Sequence, residues 1–506
     1  MKHKFSAAIK HYCAATPLEK CNQLAYLCLC LFILDVSIAG GGRYLMIGPF
    51  SIRMLLGFFA LILSIPCFLQ KRNSFLRSPI LQLFGIFLVY LLICAVRGQL
   101  GSGKINVIIS DVRGFAWLFL VPVMTAQIKN RRKLETILSV IVIGGVIQAT
   151  IVHLINFLCA FHFCKITAAE ATFVAVQLGV INHITDTFYR IFMNSCPYLA
   201  LACAIALFRQ MQAGRILWKY VFAITWMVCA ALLSFTRSLY GCFFLVGVLT
   251  VIGGFCLFYT KWKQSILLLA VTIATTGCFI FAAEFIFNAN YLNFAVSRTF
   301  GTELHTSPAM DLRDAIDSWL SPEMDAQSQQ EIAKDSIMLS ASRDGSCLQP
   351  RPIMPVPSDF DHQKDYMDAT LRSDELRQQT QTELWELIAL NPIFGNGLGA
   401  YAPVRDTGAD LNAGGYDEYF YLDMLARTGI LGLLLYILPF GYTCLMCLKK
   451  RNQLRELTCA IPLMCGMLGF WAITWFNPWM NAVIGISAYA LCCTIVQLLQ
   501  TEANKM

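Results

Sequence analysis

Apolar residues in this chain gather into long runs with little polar interruption. Runs of about twenty fall near 22–39, 52–69, 79–96, 107–127, 134–158, 191–208, 217–235, 238–259, 264–283, 428–448, 457–476 and 481–499. A helix needs roughly 20 mainly apolar residues to cross ~30 Å of hydrocarbon. The pattern therefore predicts an all-α polytopic membrane protein with about 12 transmembrane helices. One long polar segment, 284–427, separates the ninth run from the tenth. The expected organisation is a terminal segment 1–21, spans 1–9 over 22–283, the polar loop, spans 10–12 over 428–499, and a tail 500–506.

Positive charge orients this layout. Lys2, Lys4, Lys10 and Lys20 precede the first run, and alternate loops carry Lys71-Arg72, Arg131-Arg132-Lys133, Arg209 and Arg215, Lys261 and Lys263, and Lys449-Lys450-Arg451. The intervening short loops are poor in Lys and Arg. By the positive-inside rule both termini lie in the cytoplasm and the 284–427 loop lies outside. Within that loop, 302–368 is rich in Asp, Ser, Gln and Pro and reads as an irregular insert. The stretch 368–390 reads as a helix with an apolar stripe at Leu376, Leu384, Leu387 and Ile388, stopped by Asn391-Pro392. Before the sixth run, Phe173, Val174, Val176, Leu178, Val180 and Ile181 predict an interfacial helix.

Composition agrees with a membrane protein. The 506 residues are 57% hydrophobic and only 14% charged, where soluble domains carry about a quarter. The net charge of +8 does not mark a nucleic-acid binder, because 23 of the 31 acidic residues fall between Glu284 and Asp423 and most Lys and Arg sit in short loops. The 21 cysteines lie mostly in apolar runs, where they act as small hydrophobes. The polar loop holds only Cys347, so no internal disulfide is expected there. No Cys/His cluster of metal-ligand spacing stands out, and no metal or cofactor is expected. Leu24–Ala39 is followed by Gly-Gly-Gly-Arg and another run, so no cleavable leader is expected.

Candidate chemistry concentrates around the end of the loop. Gly395-Asn396-Gly397-Leu398-Gly399 lacks the strand, spacing and lysine of a nucleotide loop. Gly395, Gly397 and Gly399 instead read as a hinge-like turn whose bare backbone approaches either membrane helices or a ligand. Charged residues in or beside spans (Asp35, Asp111, Arg113, Arg190, Arg237, Glu284) are costly in lipid unless paired or facing water. Arg190, Arg237, Arg298, Arg372 and Arg377 all fall on the outer side, and a planar guanidinium suits bidentate phosphate binding. Arg377 borders the apolar stripe of its helix.

Glu418 shares a helical face with Leu422 and Leu425. Desolvation there would raise its pKa towards that of a general base. Asp417 is the second candidate for that role. Asp423 and Arg427, four residues apart, are expected to pair. Asp359-Phe360-Asp361 has the spacing of a metal-dependent glycosyltransferase motif but sits in the irregular insert, as do His305 and His362.

These blocks, in order, resemble the O-antigen ligase/polymerase superfamily (the Wzy/WaaL type). Asn391–Tyr401, Tyr416-Asp417-Glu418 and Ala426-Arg427-Thr428-Gly429-Ile430-Leu431-Gly432 carry the likeness. Ser234-Phe235-Thr236-Arg237-Ser238, Arg190 through Pro197, and Ser373-Asp374 with Arg377 support it. The resemblance implies a GT-C-like fold in the bacterial inner membrane and metal-independent, inverting glycosyl transfer from an undecaprenyl diphosphate-linked oligosaccharide. Arginines would hold the diphosphate, and a loop residue would activate the acceptor. It also implies partners such as a chain-length regulator or a flippase. Ligases of the family carry His where this chain has Tyr416-Asp417-Glu418, which favours the polymerase branch. A ligase and a lipid-linked glycan transporter are the rival readings.

Overall fold

The computed structural model describes residues 16–40, 46–47, 50–70, 77–101, 105–161, 163, 179–185, 188–258, 262–287, 377–400, 419–450, 452, 458–475, 477 and 479–503. Helices dominate, as the apolar runs predict. They are α1 (Pro17–Ala39), α2 (Ile52–Gln70), α3 (Pro79–Leu100), α4 (Ile105–Phe115), α5 (Leu120–Gln127), α6 (Arg131–Ala160), α7 (Cys196–Ala213), α8 (Trp218–Leu232), α9 (Arg237–Leu257) and α10 (Trp262–Phe287). After the loop come α11, whose described part is 377–390, then α12 (Phe420–Lys449), α13 (Ala460–Ile473) and α14 (Val483–Ala503). A 3-10 turn, Ala116–Phe119, joins α4 to α5 as one bent span. Among the described residues nine helical stretches are long and apolar enough to cross a membrane. Two of the other expected spans, α8 and α13, are shorter apolar helices. The chain is an all-α polytopic membrane protein.

Local chemistry starts the helices where the sequence allows it. Thr16 and Glu19 form a reciprocal capping box ahead of α1, and Asn130 caps α6 by accepting from the Lys133 amide. Pro17, Pro79 and Pro197 occupy first turns, where a missing N–H costs nothing. α7 sits centrally against α6, α8, α9 and α13. The α14 segment Val483–Gln500 is 89% buried, whereas the α10 segment Lys263–Phe285 is 11% buried. Apolar side chains such as Phe244, 75% exposed, point away from the core, as lipid-facing residues do.

Helix ends that the charge alternation groups together do meet. At one end Tyr26 Oη donates to the Lys133 carbonyl (2.8 Å) and Gln127 Nε2 to Ser64 Oγ (2.9 Å). At the other, Ser195 Oγ donates to the Ile38 carbonyl (2.6 Å), and Asn477 Nδ2 to Ser238 Oγ (3.1 Å). That second end carries the glycine-rich turn.

One expected element is corrected. Val180 and Ile181 belong to an antiparallel hairpin, β3 (Gly179–Thr185) with β4 (Phe188–Met193), not to an interfacial helix. The sixth span consequently begins at Cys196, not near 191. The physical reason is a period of two: Tyr189, Ile191 and Met193 are buried while Arg190 and Phe192 alternate with them. A second short hairpin, β1 (Met46–Ile47) with β2 (Phe50–Ser51), precedes α2. Residues 173–178, the insert 302–368 with Asp359, Asp361, His305 and His362, and Cys347 lie outside the described residues.

Candidate active site

The site is built on a broken helix. α12 is interrupted at Gly429, whose φ of 68° no side-chain-bearing residue adopts comfortably. The break frees backbone groups that a continuous helix would use internally. The glycine-rich turn fills them: Asn396 N donates to the Ala426 carbonyl, Gly397 N to the Arg427 carbonyl (both 2.9 Å), and Ile430 N to the Pro392 carbonyl (2.9 Å). On the other side Leu398 N donates to the Cys94 carbonyl of α3 (3.0 Å), and Gly399 N to Asp111 Oδ2 of α4 (2.8 Å). Asn396 Nδ2 ties α11 to α12 through the Leu387 and Ala426 carbonyls.

These bonds decide what the turn can do. Every backbone N–H from Gly395 to Ala400 is donated within the protein, so the turn offers no amide cradle to a phosphate. Its glycines let backbone meet backbone. A Cβ on Gly397, at φ 94°, would lie 2.5 Å from the Gly98 nitrogen. Gly397→Ala is therefore expected to cost at least ~1–3 kcal/mol from conformation alone, before the clash. Gly241→Ala, with nothing within 4 Å of the new methyl, serves as the neutral control in thermal unfolding of the purified protein.

A buried ion cluster locks the turn. Arg427 bonds Asp111 through Nη1, and its Nη2 lies 2.7 Å from Asp423 Oδ1. All three side chains are 5% exposed or less. The Asp423–Arg427 pair is the one expected from their spacing. The Asp111 contact, 316 residues away in sequence, was signalled only by a charge inside a span. Asp35 likewise meets Arg53, at 2.8 Å. Tyr90 and Arg97 of α3, which sequence reasoning passed over, bond the carbonyls of Thr428 and Phe394 and hold the same junction. α11 packs alongside, with Leu384 and Ile388 against Leu422 and Ala426.

Arg190 and Arg377 come close to one another away from the glycine turn. Arg190 on β4 donates from Nε to the Ser234 carbonyl (2.8 Å), and the adjacent Ile191 N donates to the Leu233 carbonyl (3.1 Å). The turn so held is strained: Phe235, fully buried, has φ 46°, and no other described residue except glycine has a positive φ. Strain of this kind costs about 1–3 kcal/mol and tends to mark functional sites. The turn delivers Arg237 as the first residue of α9, on an exposed position. Burial pulls the Arg190 guanidinium down to about 10, and the neighbouring charge of Arg377, on α11, pushes the same way. Arg190 therefore remains a cation at neutral pH. Two cations from distant segments, Arg190 and Arg377, lie close together, and Arg190 is bonded to the turn that precedes Arg237.

Asp417, Glu418 and Arg298 lie outside the described residues, which resume at Tyr419. Phe420, fully buried, anchors the start of α12 against Tyr436 and Trp471. Sequence reading also passed over a Cys-x-x-Cys, Cys444 and Cys447. It lies within α12 at the opposite end of the bundle. Among the described residues no three His, Cys, Asp or Glu side chains gather as a metal-binding group.

The fold defines a multi-pass membrane protein in which α12 is broken at Gly429 and Arg190 has Arg377 close by. Residues 222–437 match the family model described as O-antigen ligase (Wzy_C), which supports the O-antigen ligase/polymerase superfamily. The matched region includes the strained turn, Arg237, the loop, Arg377 and the broken helix, and it supports glycosyl transfer of the O-antigen ligase/polymerase type. A search of curated proteins finds no match.

Proposed function

We propose that the chain is a polysaccharide polymerase, joining glycan repeat units carried on undecaprenyl diphosphate at the outer face of the bacterial inner membrane. The observation that supports it is that Arg190 is bonded to the turn bearing Arg237 and has Arg377 close by. In this reading Arg237 and Arg377 bind the diphosphate, with Arg190 and Arg298 assisting. Glu418 takes the proton from the acceptor hydroxyl, with Asp417 as its alternate. The acceptor oxygen then forms its bond to the anomeric carbon as the bond to the diphosphate breaks, so the configuration inverts. The leaving lipid diphosphate keeps its electron pair against the guanidinium charges. The role of Gly395, Gly397 and Gly399 is to fix α11 and α12 relative to one another.

The family description favours a second reading, a ligase that moves finished glycan to a lipid or protein acceptor. Glycan banding in a strain lacking the gene separates the two. Loss of a polymerase leaves single repeats on the acceptor, whereas loss of a ligase leaves none attached. Unattached glycan in the deletion strain would overturn the polymerase assignment.

A further inference from the structure

At the end of the bundle opposite the arginine site, a cavity of about 530 Å³ opens between α6, α7, α8 and the start of α13. Its walls divide by chemistry. Arg132, Arg209, Ser139 and Gln212 line a polar part, and Leu138, Ile205, Phe208 and Pro462 an apolar part. Arg209 is half-buried and uses only Nη2 on the protein, donating to the Glu135 carbonyl and to Ser139 Oγ, each at 3.0 Å. Its Nε and Nη1 make no hydrogen bond among the described residues, so three N–H donors remain for a ligand. The Arg132 guanidinium makes no hydrogen bond or ion pair among the described residues. The one carboxylate lining the cavity, Glu135, is neutralised by Arg131 at 2.7 Å. Lys219 adds a third cation nearby, its Nζ 5.0 Å from the centre of the Tyr220 ring, which also lines the cavity.

We infer that this cavity binds the headgroup of an anionic phospholipid, its phosphate on Arg209 and Arg132 and the upper part of an acyl chain on the apolar wall. Cation-lined pockets between membrane helices at the headgroup level recognise such lipids. The unused fork of Arg209 fits two phosphate oxygens. The apolar wall favours a lipid over a free anion. The inference is independent of the glycosyl-transfer reading, because none of its residues belongs to the arginine site.

The test is native mass spectrometry of the full chain in detergent, titrated with phosphatidylglycerol or phosphatidylcholine, with inorganic phosphate as competitor. Wild type is expected to retain phosphatidylglycerol in preference to phosphatidylcholine. Arg132→Gln, at an exposed position, and Arg209→Lys, which keeps the charge and loses the fork, should each weaken retention roughly tenfold. Equal retention of the two lipids would overturn the proposal, as would both variants binding like wild type. Displacement of phosphatidylglycerol by inorganic phosphate at equal concentration would also overturn it, by making the ligand a free anion.

Discussion

Arg377→Ala is expected to slow glycan transfer by about 10²-fold or more, measured as extension of lipid-linked repeats by the purified protein. Removing one preorganised donor to developing charge typically costs a few kcal/mol of transition-state stabilisation, which is that factor. The loss should fall on the rate constant for transfer more than on donor binding, because negative charge grows on the diphosphate as the sugar leaves. Arg377→Lys should recover only part of it, since an ammonium supplies charge without the planar fork. Arg190 is tied to the Ser234 carbonyl, so Arg190→Ala removes a cation and also loosens the strained turn that presents Arg237. Its loss should be no smaller.

Asp111→Ala carries the largest expected effect on stability. Asp111 accepts from both Arg427 and Gly399, and all of these groups are buried. Removing one member of a buried ion cluster leaves the others desolvated and costs about 3–5 kcal/mol. Asp111→Asn, which keeps one acceptor oxygen, should lose less. Glu135→Gln, in an exposed pair with Arg131, should shift stability by less than about 1 kcal/mol. Thermal unfolding of the three variants in one detergent ranks them directly. An Asp111→Ala protein as stable as Glu135→Gln would show that the cluster does not hold the junction.

The two variants probe features that differ in how far the sequence revealed them. Long apolar runs dictate helices because lipid leaves the backbone no other way to satisfy its polar groups, so the bundle was legible. The helix around Leu384 and Ile388 and the Asp423–Arg427 pair were legible for the same local reason, a spacing of three or four residues. The hairpin at 179–193 had its signal in the alternation of Tyr189, Ile191 and Met193, but adjacent apolar residues read equally well as the start of a span. Asp111 announced only that it needed a partner. Nothing local could say that the partner was Arg427, or that a glycine turn would share it. The bare backbone at Gly397 and Gly429 likewise left open what would approach, and tertiary docking decided it.

Arg190, Arg237 and Arg377 are proposed to release a glycan from a lipid diphosphate. The direct measurement is reconstitution of the full chain in vesicles with a lipid diphosphate-linked oligosaccharide as sole glycan. The donor is expected to be consumed, lipid diphosphate released, and products lengthened by whole repeats. Arg190→Ala, Arg237→Ala and Arg377→Ala are each expected to abolish most of that turnover. Donor left intact by the wild-type protein, or consumed equally fast by all three variants, would contradict it.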